Sequence, residues 1–110
     1  MNEVYLNGVI ADMKEMKHRT VDTRHLEIQL RLSHRNRRQQ MIHELYPVNA
    51  WDRLAAWAAD ELRCGMRVTV KGYLTQRSND GGQAVEITAQ RFLVNQMKPE
   101  PMDAPGQPEK

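Results

Sequence analysis

The stretch that decides the fold runs from Pro47 to Leu93 and reads PVNAWDRLAAWAADELRCGMRVTVKGYLTQRSNDGGQAVEITAQRFL. Its first third predicts a helix that begins at Ala50, with Asn49 as its cap, and that Gly65 ends. The apolar residues at helical spacing form one stripe: Trp51, Leu54, Ala55, Ala58 and Leu62. Trp57 lies beside this stripe, and we expect it to pack as well.

The rest of the stretch predicts a β-hairpin. Apolar and polar residues alternate from about Met66 to Thr75 and again from Val85 to Val94, as they do in half-buried strands. Between them, residues 79–82 read NDGG, which favours the positive φ angles of a tight hairpin turn. Gly72 permits a kink in the first of these strands.

Three more strands are predicted before the helix. The clearest is His25–Ser33, where leucine and isoleucine occupy every second position and polar residues the others, so we expect one face to be buried and the other to be wet. Val4–Ile10 also alternates, and Gly8 indicates a bulge or a close backbone approach. Residues 11–24 fit a continued, bent strand and a loop; helical spacing is possible there, but no cap supports it. Residues 40–48 alternate less cleanly, and Pro47 limits that strand to an edge or to its own end.

Five strands with one helix between the third and the fourth predict an all-β fold with one helix, the five-stranded OB-fold barrel of order β-β-β-α-β-β. A chain of 110 residues fits one such domain, which we place at residues 1–96. Residues 97–110 hold four prolines and no β-branched residue, so we expect a disordered tail.

Composition excludes several classes of protein. No run of about 18 apolar residues and no basic segment followed by an apolar one occurs, so we expect neither a membrane span nor a signal peptide. Cys64 is the single cysteine, and we expect it to pack near the helix end. The four histidines lack the spacing of a metal site, and no catalytic constellation is visible, so we expect no enzyme, cofactor or metal.

The net charge of +2 is unevenly distributed. Residues 31–38 read RLSHRNRR and hold four arginines, one histidine and no acidic residue. Such a patch suits phosphates, although a solvated loop that only aids solubility would look the same.

The chain resembles bacterial single-stranded DNA-binding proteins and their short relative, the primosomal replication protein of the PriB type. The opening VYLNGVI is similar to the family's first strand, and VEITAQRF to its last. In between, the resemblance rests on the order and spacing of residues Leu54, Ala55, Leu62, Gly65, Val68, Val70, Gly72, Leu74 and Arg77.

This resemblance implies an OB barrel that binds single strands without sequence preference and assembles as a dimer or tetramer. It also implies base stacking on aromatics. Trp51 matches one such position, and a core role for it stays open. Leu45 stands where a tryptophan would be expected, and the hairpin tip has Asn79, so stacking should be poorer here. The sequence ends GQPEK rather than in the acidic, aromatic-tipped peptide of long-tailed members, which puts recruitment of partners by the tail in doubt.

We therefore predict a single-stranded DNA-binding protein of the bacterial cytoplasm, associated with the nucleoid and active in replication, replication restart or recombination. The predicted phosphate contacts are Arg31, Arg35, Arg37, Arg38, Arg67, Lys71 and Arg77, and the predicted stacking residues are Trp51 and Tyr73. The outer face of the first strand, Tyr5, Asn7 and Val9, is expected to pair across a two-fold axis. The alternative is a protein-interaction adaptor of a primosome-like or mobile-element complex with weak nucleic-acid binding; RNA stays a further option.

Overall fold

The computed structural model describes residues 1–19, 22–79 and 81–96. Its elements are β1 (Val4–Met16), β2 (His25–Arg35), β3 (Met41–Trp51), α1 (Asp52–Glu61), β4 (Arg67–Asn79) and β5 (Gly82–Gln96). This order confirms the predicted one. The predicted tail at residues 97–110 lies outside the described residues. Within the described part, no helix is long and apolar enough to cross a membrane.

The five strands close into a barrel in the order β1-β2-β3-β5-β4. All neighbours are antiparallel except β3 and β5, which pair in parallel at Val48↔Ile87 and Asn49↔Thr88. Because this last ladder is so short, the hairpins β2–β3 and β4–β5 diverge beyond it. The architecture is the predicted OB-fold.

Strand β1 pairs with two neighbouring strands and bends between the two ladders. Its first half pairs with β4 and its second half with β2, and the register shifts at a bulge between Ile10 and Asp12. A Cβ on Gly8 would lie 2.5 Å from the carbonyl oxygen of Arg31, so the strands approach there more closely than a side chain allows. The predicted close approach at Gly8 is confirmed, and residues 11–16 continue the strand as expected.

Strand β2 shows the predicted alternation. Leu26, Ile28 and Leu30 are buried in the barrel, and Leu32 packs against them. The expectation that the opposite face is wet is wrong at His25, which is only 2% exposed. The ring of Trp51, the residue directly opposite on β3, covers it.

The start of the helix differs from the prediction. Strand β3 continues through Pro47 to Trp51, and α1 begins at Asp52, so Asn49 is not a cap. Asn49 lies in the strand, 3% exposed, and its side chain bonds to His25 and Glu86. These long-range partners outcompete the local cap that the sequence pattern favours. Pro47 is tolerated because β5 pairs with β3 only beyond it, which leaves this part of β3 an edge.

Helix α1 closes one end of the barrel. Ala55, Ala58 and Leu62 of the predicted stripe are buried in the core. Trp57 is 40% exposed and stacks against Phe92, with ring centroids 6.2 Å apart. The helix ends at Glu61, earlier than expected, and Gly65 follows in a turn with φ 93°.

The connection after α1 also places the single cysteine. Cys64 is exposed, so the prediction that it packs near the helix end is wrong.

The β4–β5 hairpin is longer than predicted. Asn79 pairs with Gly82, which confirms the tight turn, and Gly82 has φ 111°. The register shifts between Lys71 and Gly72, where a Cβ on the glycine would collide with the carbonyl oxygen of Thr88. Gly72 therefore marks a kink, as predicted, and the hairpin bends there toward β3.

Candidate nucleic-acid interface

A groove lined mostly by polar residues lies on the outside of the barrel where β3 meets the β4–β5 hairpin. Its volume is about 450 Å³. One wall comes from the end of β1 and from the β2–β3 rung at His25 and Trp51, and the other comes from β4. The lining residues are Met16, His18, His25, Asn49, Trp51, Thr75, Gln76, Arg77, Glu86 and Thr88. We call this the groove.

A chain of hydrogen bonds runs across the groove. His18 Nε2 lies 2.8 Å from His25 Nδ1, and His25 Nε2 lies 2.5 Å from Asn49 Oδ1. Asn49 Nδ2 donates to Glu86 Oε1 at 2.5 Å. Arg77 Nε donates to Glu86 Oε2 at 3.0 Å. We call His18–His25–Asn49–Glu86–Arg77 the relay; it links the β1–β2 loop to the β4–β5 hairpin through β2 and β3.

The relay satisfies the buried polar groups at its centre. Glu86 is 6% exposed, and a buried carboxylate is costly without partners. It accepts from Asn49 on one oxygen and from Arg77 on the other. The Arg77 side chain is 43% exposed, and its Nε is held by Glu86. A guanidinium fixed in this way offers its remaining donors in one orientation.

Trp51 lies at the inner end of the groove. Its ring stacks on His25 with centroids 3.9 Å apart and planes at 10°, and His18 tilts toward it at 5.3 Å. Trp51 is nevertheless 37% exposed. The structure thus places Trp51 on the outer face of β3, with one side packed on histidine and part of the ring open to solvent.

The outer face of the β2–β3 hairpin connects the groove to the arginine-rich loop. Its rungs pair His25 with Trp51 at one end and Arg35 with Met41 at the other. Ten residue steps at about 3.3 Å each separate these rungs by about 33 Å. Trp51 and the arginine loop, which the sequence could not place relative to each other, therefore lie at opposite ends of one hairpin.

Asn36 organises the backbone of the loop at the far end of the hairpin. Its Oδ1 accepts the backbone N–H groups of Arg38 and Gln40 at 2.8 and 2.9 Å. Arg35 donates to the carbonyl oxygen of Gln39 at 2.7 Å. Arg35, Arg37 and Arg38 are all exposed, and we call these three residues the arginine tip.

Arg31 lies midway between the tip and the groove, directly opposite Leu45. Leu45 is 57% exposed on the outer face, at the position where the family resemblance leads one to expect an aromatic. Arg31 is half-buried, and within the described residues its Nε is buried without a hydrogen-bond partner. Its neighbour on β1 is Val9, which is 1% exposed. Val9 is therefore covered within the chain and does not belong to the open outer face that was expected for it.

The predicted basic track along β4 is divided by the bend at Gly72. Arg67 and Lys71 lie before it, beside Val9 and Tyr5 of β1, and both are half-buried. Arg67 also donates to Asn7 Oδ1 at 3.1 Å. Arg77 lies beyond the bend, in the groove. Tyr73, paired with Thr88, is half-buried between the two parts.

Sequence reasoning missed most of the groove, because only Trp51 and Arg77 of its ten lining residues were predicted as site residues. The missed residues are Met16, His18, His25, Asn49, Thr75, Gln76, Glu86 and Thr88. Asn49 carried a signal, a polar residue in an apolar run, but that signal was read as a helix cap. The others come from four separate segments, namely the end of β1 with the loop after it, β2, β4 and β5, so no spacing in the sequence connects them. Within the described ranges, no group of three or more histidine, cysteine, aspartate or glutamate residues could hold a metal ion.

OB-folds commonly bind oligonucleotides or oligosaccharides, and those that bind single-stranded nucleic acid combine stacking aromatics with a positively charged groove. The model of the single-strand binding protein family matches residues 1–99. The chain belongs to this family. It is a family of DNA-binding proteins, not of enzymes.

Solved structures share the fold at low sequence identity. The single-strand binding domain of a Synechococcus protein has a TM-score of 0.66 and 18% identity, covering 84% of this chain and 93% of that one. The PriB protein of Ralstonia solanacearum has a TM-score of 0.69 and 11% identity, with 86% and 98% covered. The single-stranded DNA-binding protein of Thermus aquaticus, a deletion mutant, has a TM-score of 0.67 and 21% identity, with 86% and 50% covered. No curated protein matches the chain.

Proposed function

We propose that this protein binds single-stranded DNA without sequence preference, through the groove and the outer face of the β2–β3 hairpin. The groove is the observation that carries the proposal. It places Trp51 opposite Arg77 on the side of the OB-fold formed by strands 2 and 3 and the loops after strands 1 and 4, which binds oligonucleotides in this fold. Base stacking on Trp51 is sequence-tolerant because every base has a π-face.

The electrostatic part of binding belongs to the arginines outside the groove. The arginine tip is exposed and carries no acidic residue, so it suits phosphates. Arg31 lies between the tip and the groove on the same face. We propose that one strand follows this face from Trp51 to the tip, a span of about 33 Å. Arg67, Lys71 and Tyr73, beyond the bend, would contact a strand that continues around β4.

We further propose that the protein acts on the bacterial nucleoid in the cytoplasm, in replication, replication restart or recombination, as a homo-oligomer. Residues Val4 to Gly8 of β1 pair with β4 on one side only, and Tyr5 is 62% exposed there. Such an edge favours pairing with a second copy.

The test is a fluorescence titration with oligo-dT on a Trp57→Phe variant, in which Trp51 is the remaining tryptophan. Quenching of Trp51 is expected on binding, and affinity should fall with salt at a slope of about −0.7 per phosphate contact. No binding at low salt, or binding that salt does not change, would overturn the proposal. Light scattering on the same samples would give the number of copies.

A second candidate is an adaptor for replication or primosome proteins. The observation that favours it is Leu45, exposed where a stacking aromatic is expected, which leaves the middle of the hairpin poor in stacking residues. If removing the arginine tip leaves single-strand binding unchanged, the adaptor function is favoured. Replacing oligo-dT by oligo-U in the same titration would show whether RNA competes.

A further inference from the structure

The relay determines which histidine nitrogens in its two contacts carry a hydrogen. Glu86 only accepts hydrogen bonds, so the atom of Asn49 that faces it is the amide nitrogen, and the atom that faces His25 is Oδ1. His25 Nε2 must therefore carry a hydrogen. In a neutral imidazole the other nitrogen, Nδ1, is then an acceptor, and His18 Nε2–H donates to it.

The hydrogen bond between His18 and His25 can persist when the pair takes up one extra proton, but not when it takes up two. If the extra proton binds Nδ1 of His18, the Nε2–H of His18 still donates to His25. If it binds Nδ1 of His25, that N–H donates to Nε2 of His18, whose own hydrogen then lies on Nδ1. When both rings are imidazolium, two N–H donors and two positive charges face each other at 2.8 Å, so the contact must break. Histidine is the side chain that changes charge between about pH 5 and pH 8.

The surroundings decide which histidine moves. His25 is 2% exposed and is held by Asn49 and by the stacked ring of Trp51, whereas His18 is exposed. The charged groups near the pair are Glu15 of β1, Arg24 of the following loop, Asp52 at the start of α1, which accepts the Arg24 N–H, Arg77 of β4 and Glu86 of β5. Lys17 and Arg19 flank His18 in the chain. Glu15 and Arg24 pair with each other, as do Glu86 and Arg77, so none of the four is a free partner for a second imidazolium.

We propose that His18 shields one edge of Trp51 and leaves when both histidines are protonated, so that acidification opens the groove and strengthens single-strand binding. The His18 ring lies beside the stacked pair, with its centroid 5.3 Å from that of Trp51 and 5.0 Å from that of His25. Its departure exposes more of the indole ring and leaves two positive charges at the groove, and both changes favour a polyanion with stacking bases. The release of His18 does not depend on the proposed function. Only its predicted effect on DNA binding rests on that function.

The first experiment needs no DNA. In the Trp57→Phe background, acrylamide quenching of Trp51 is measured from pH 8 to pH 5 at constant ionic strength. Quenching should rise at least about twofold in the acidic range, and the rise should disappear in the His18→Gln variant. Because His18 is exposed, this substitution spares the core. A flat profile, or the same rise without His18, overturns the proposal whether or not the protein binds DNA.

The second experiment measures affinity for fluorescently labelled oligo-dT by anisotropy at pH 7.5 and 5.5. Acidification should raise the affinity, and this rise should be at least about threefold larger in the unmodified chain than in His18→Gln. The matched control is His34→Gln with His43→Gln. These two histidines lie beside Glu44 and Ser33, near the arginine tip, and removing them should leave the difference due to His18 intact. If the control removes the same gain, the effect is general charge and the proposal fails. If Trp51 responds to acid while neither protein binds oligo-dT, the release of His18 stands and the proposed function fails.

Discussion

The two ends of the β2–β3 hairpin carry different kinds of polar surface. At the groove, the buried side chains of the relay, His25, Asn49 and Glu86, are all hydrogen-bonded. At the arginine tip, Asn36 organises the backbone, while the three guanidinium groups remain exposed. One end is built to hold a few groups at fixed distances, and the other to present charge.

This difference separates two contributions to binding. Charges at an exposed loop act over about a Debye length, tolerate imprecise geometry and weaken with salt. Stacking and hydrogen bonds in the groove act at contact distance and depend on how well the groove is preorganised. We expect the arginine tip to determine how affinity depends on salt, and the groove to determine the affinity that remains at high salt.

The largest effect should come from removing the arginine tip. The triple variant Arg35→Ala, Arg37→Ala, Arg38→Ala removes up to three phosphate contacts. The salt slope should become less steep by about 2, and affinity at about 0.1 M salt should fall by about two orders of magnitude. Anisotropy titrations with oligo-dT at several salt concentrations measure both. Arg53→Ala on α1, outside this face, is the control and should change little. An unchanged slope would show that the tip does not contact the strand.

The next effect should come from Trp51→Ala. Loss of one stacked base costs about 1–3 kcal/mol, which is about 5-fold to 150-fold in affinity, and the salt slope should not change. Trp57→Ala, which removes the ring stacked on Phe92 outside the groove, is the matched control. Equal losses in the two variants would mean that Trp51 acts through stability rather than through contact with bases. Urea denaturation of both variants separates these effects.

A smaller effect is expected in stability rather than in binding. Glu86→Ala leaves the buried amide of Asn49 without its acceptor and releases Arg77. We expect a loss of about 2 kcal/mol in the free energy of unfolding, measured in urea. Glu86→Gln keeps an acceptor for Asn49 and should lose less. If Glu86→Ala is as stable as the unmodified chain, the relay does not support the groove.

The smallest effect concerns the ion pair beside the groove. The hydrogen bond from Arg24 lowers the pKa of the Glu15 carboxyl below its usual value. The contribution of this ion pair to stability is therefore complete above the usual carboxyl pKa, and it is lost as the pH falls through the lowered pKa of Glu15. Both side chains are about half exposed, so the effect is small and salt weakens it. Glu15→Gln should lower Tm slightly at pH 7 and not at pH 2.5; a difference that persists in acid would exclude the ion pair as its cause.

The sequence predicted the elements that depend on local patterns. The alternation in β2 identified its buried face, and the NDGG turn placed the β4–β5 hairpin correctly. It failed where a distant partner changes the role of a residue. Asn49 has the chemistry of a helix cap, but Glu86, 37 positions away, and His25 hold its side chain in the strand.

The candidate site was predicted in part for the same reason. The arginine tip is contiguous, so its charge is visible in the sequence, and Trp51 was found through the family resemblance. The relay joins the β1–β2 loop, β2, β3, β4 and β5 in one groove, and only the closed barrel brings them together.

The sequence alone thus determined the order of the strands, the place of the helix and the position of the basic loop, because each depends on neighbouring residues and on the periods of strands and helices. The tertiary structure decided which polar residues are buried, which face Trp51 occupies and how far the arginines lie from it. These properties depend on barrel closure and strand register, which bring together side chains that the chain keeps far apart.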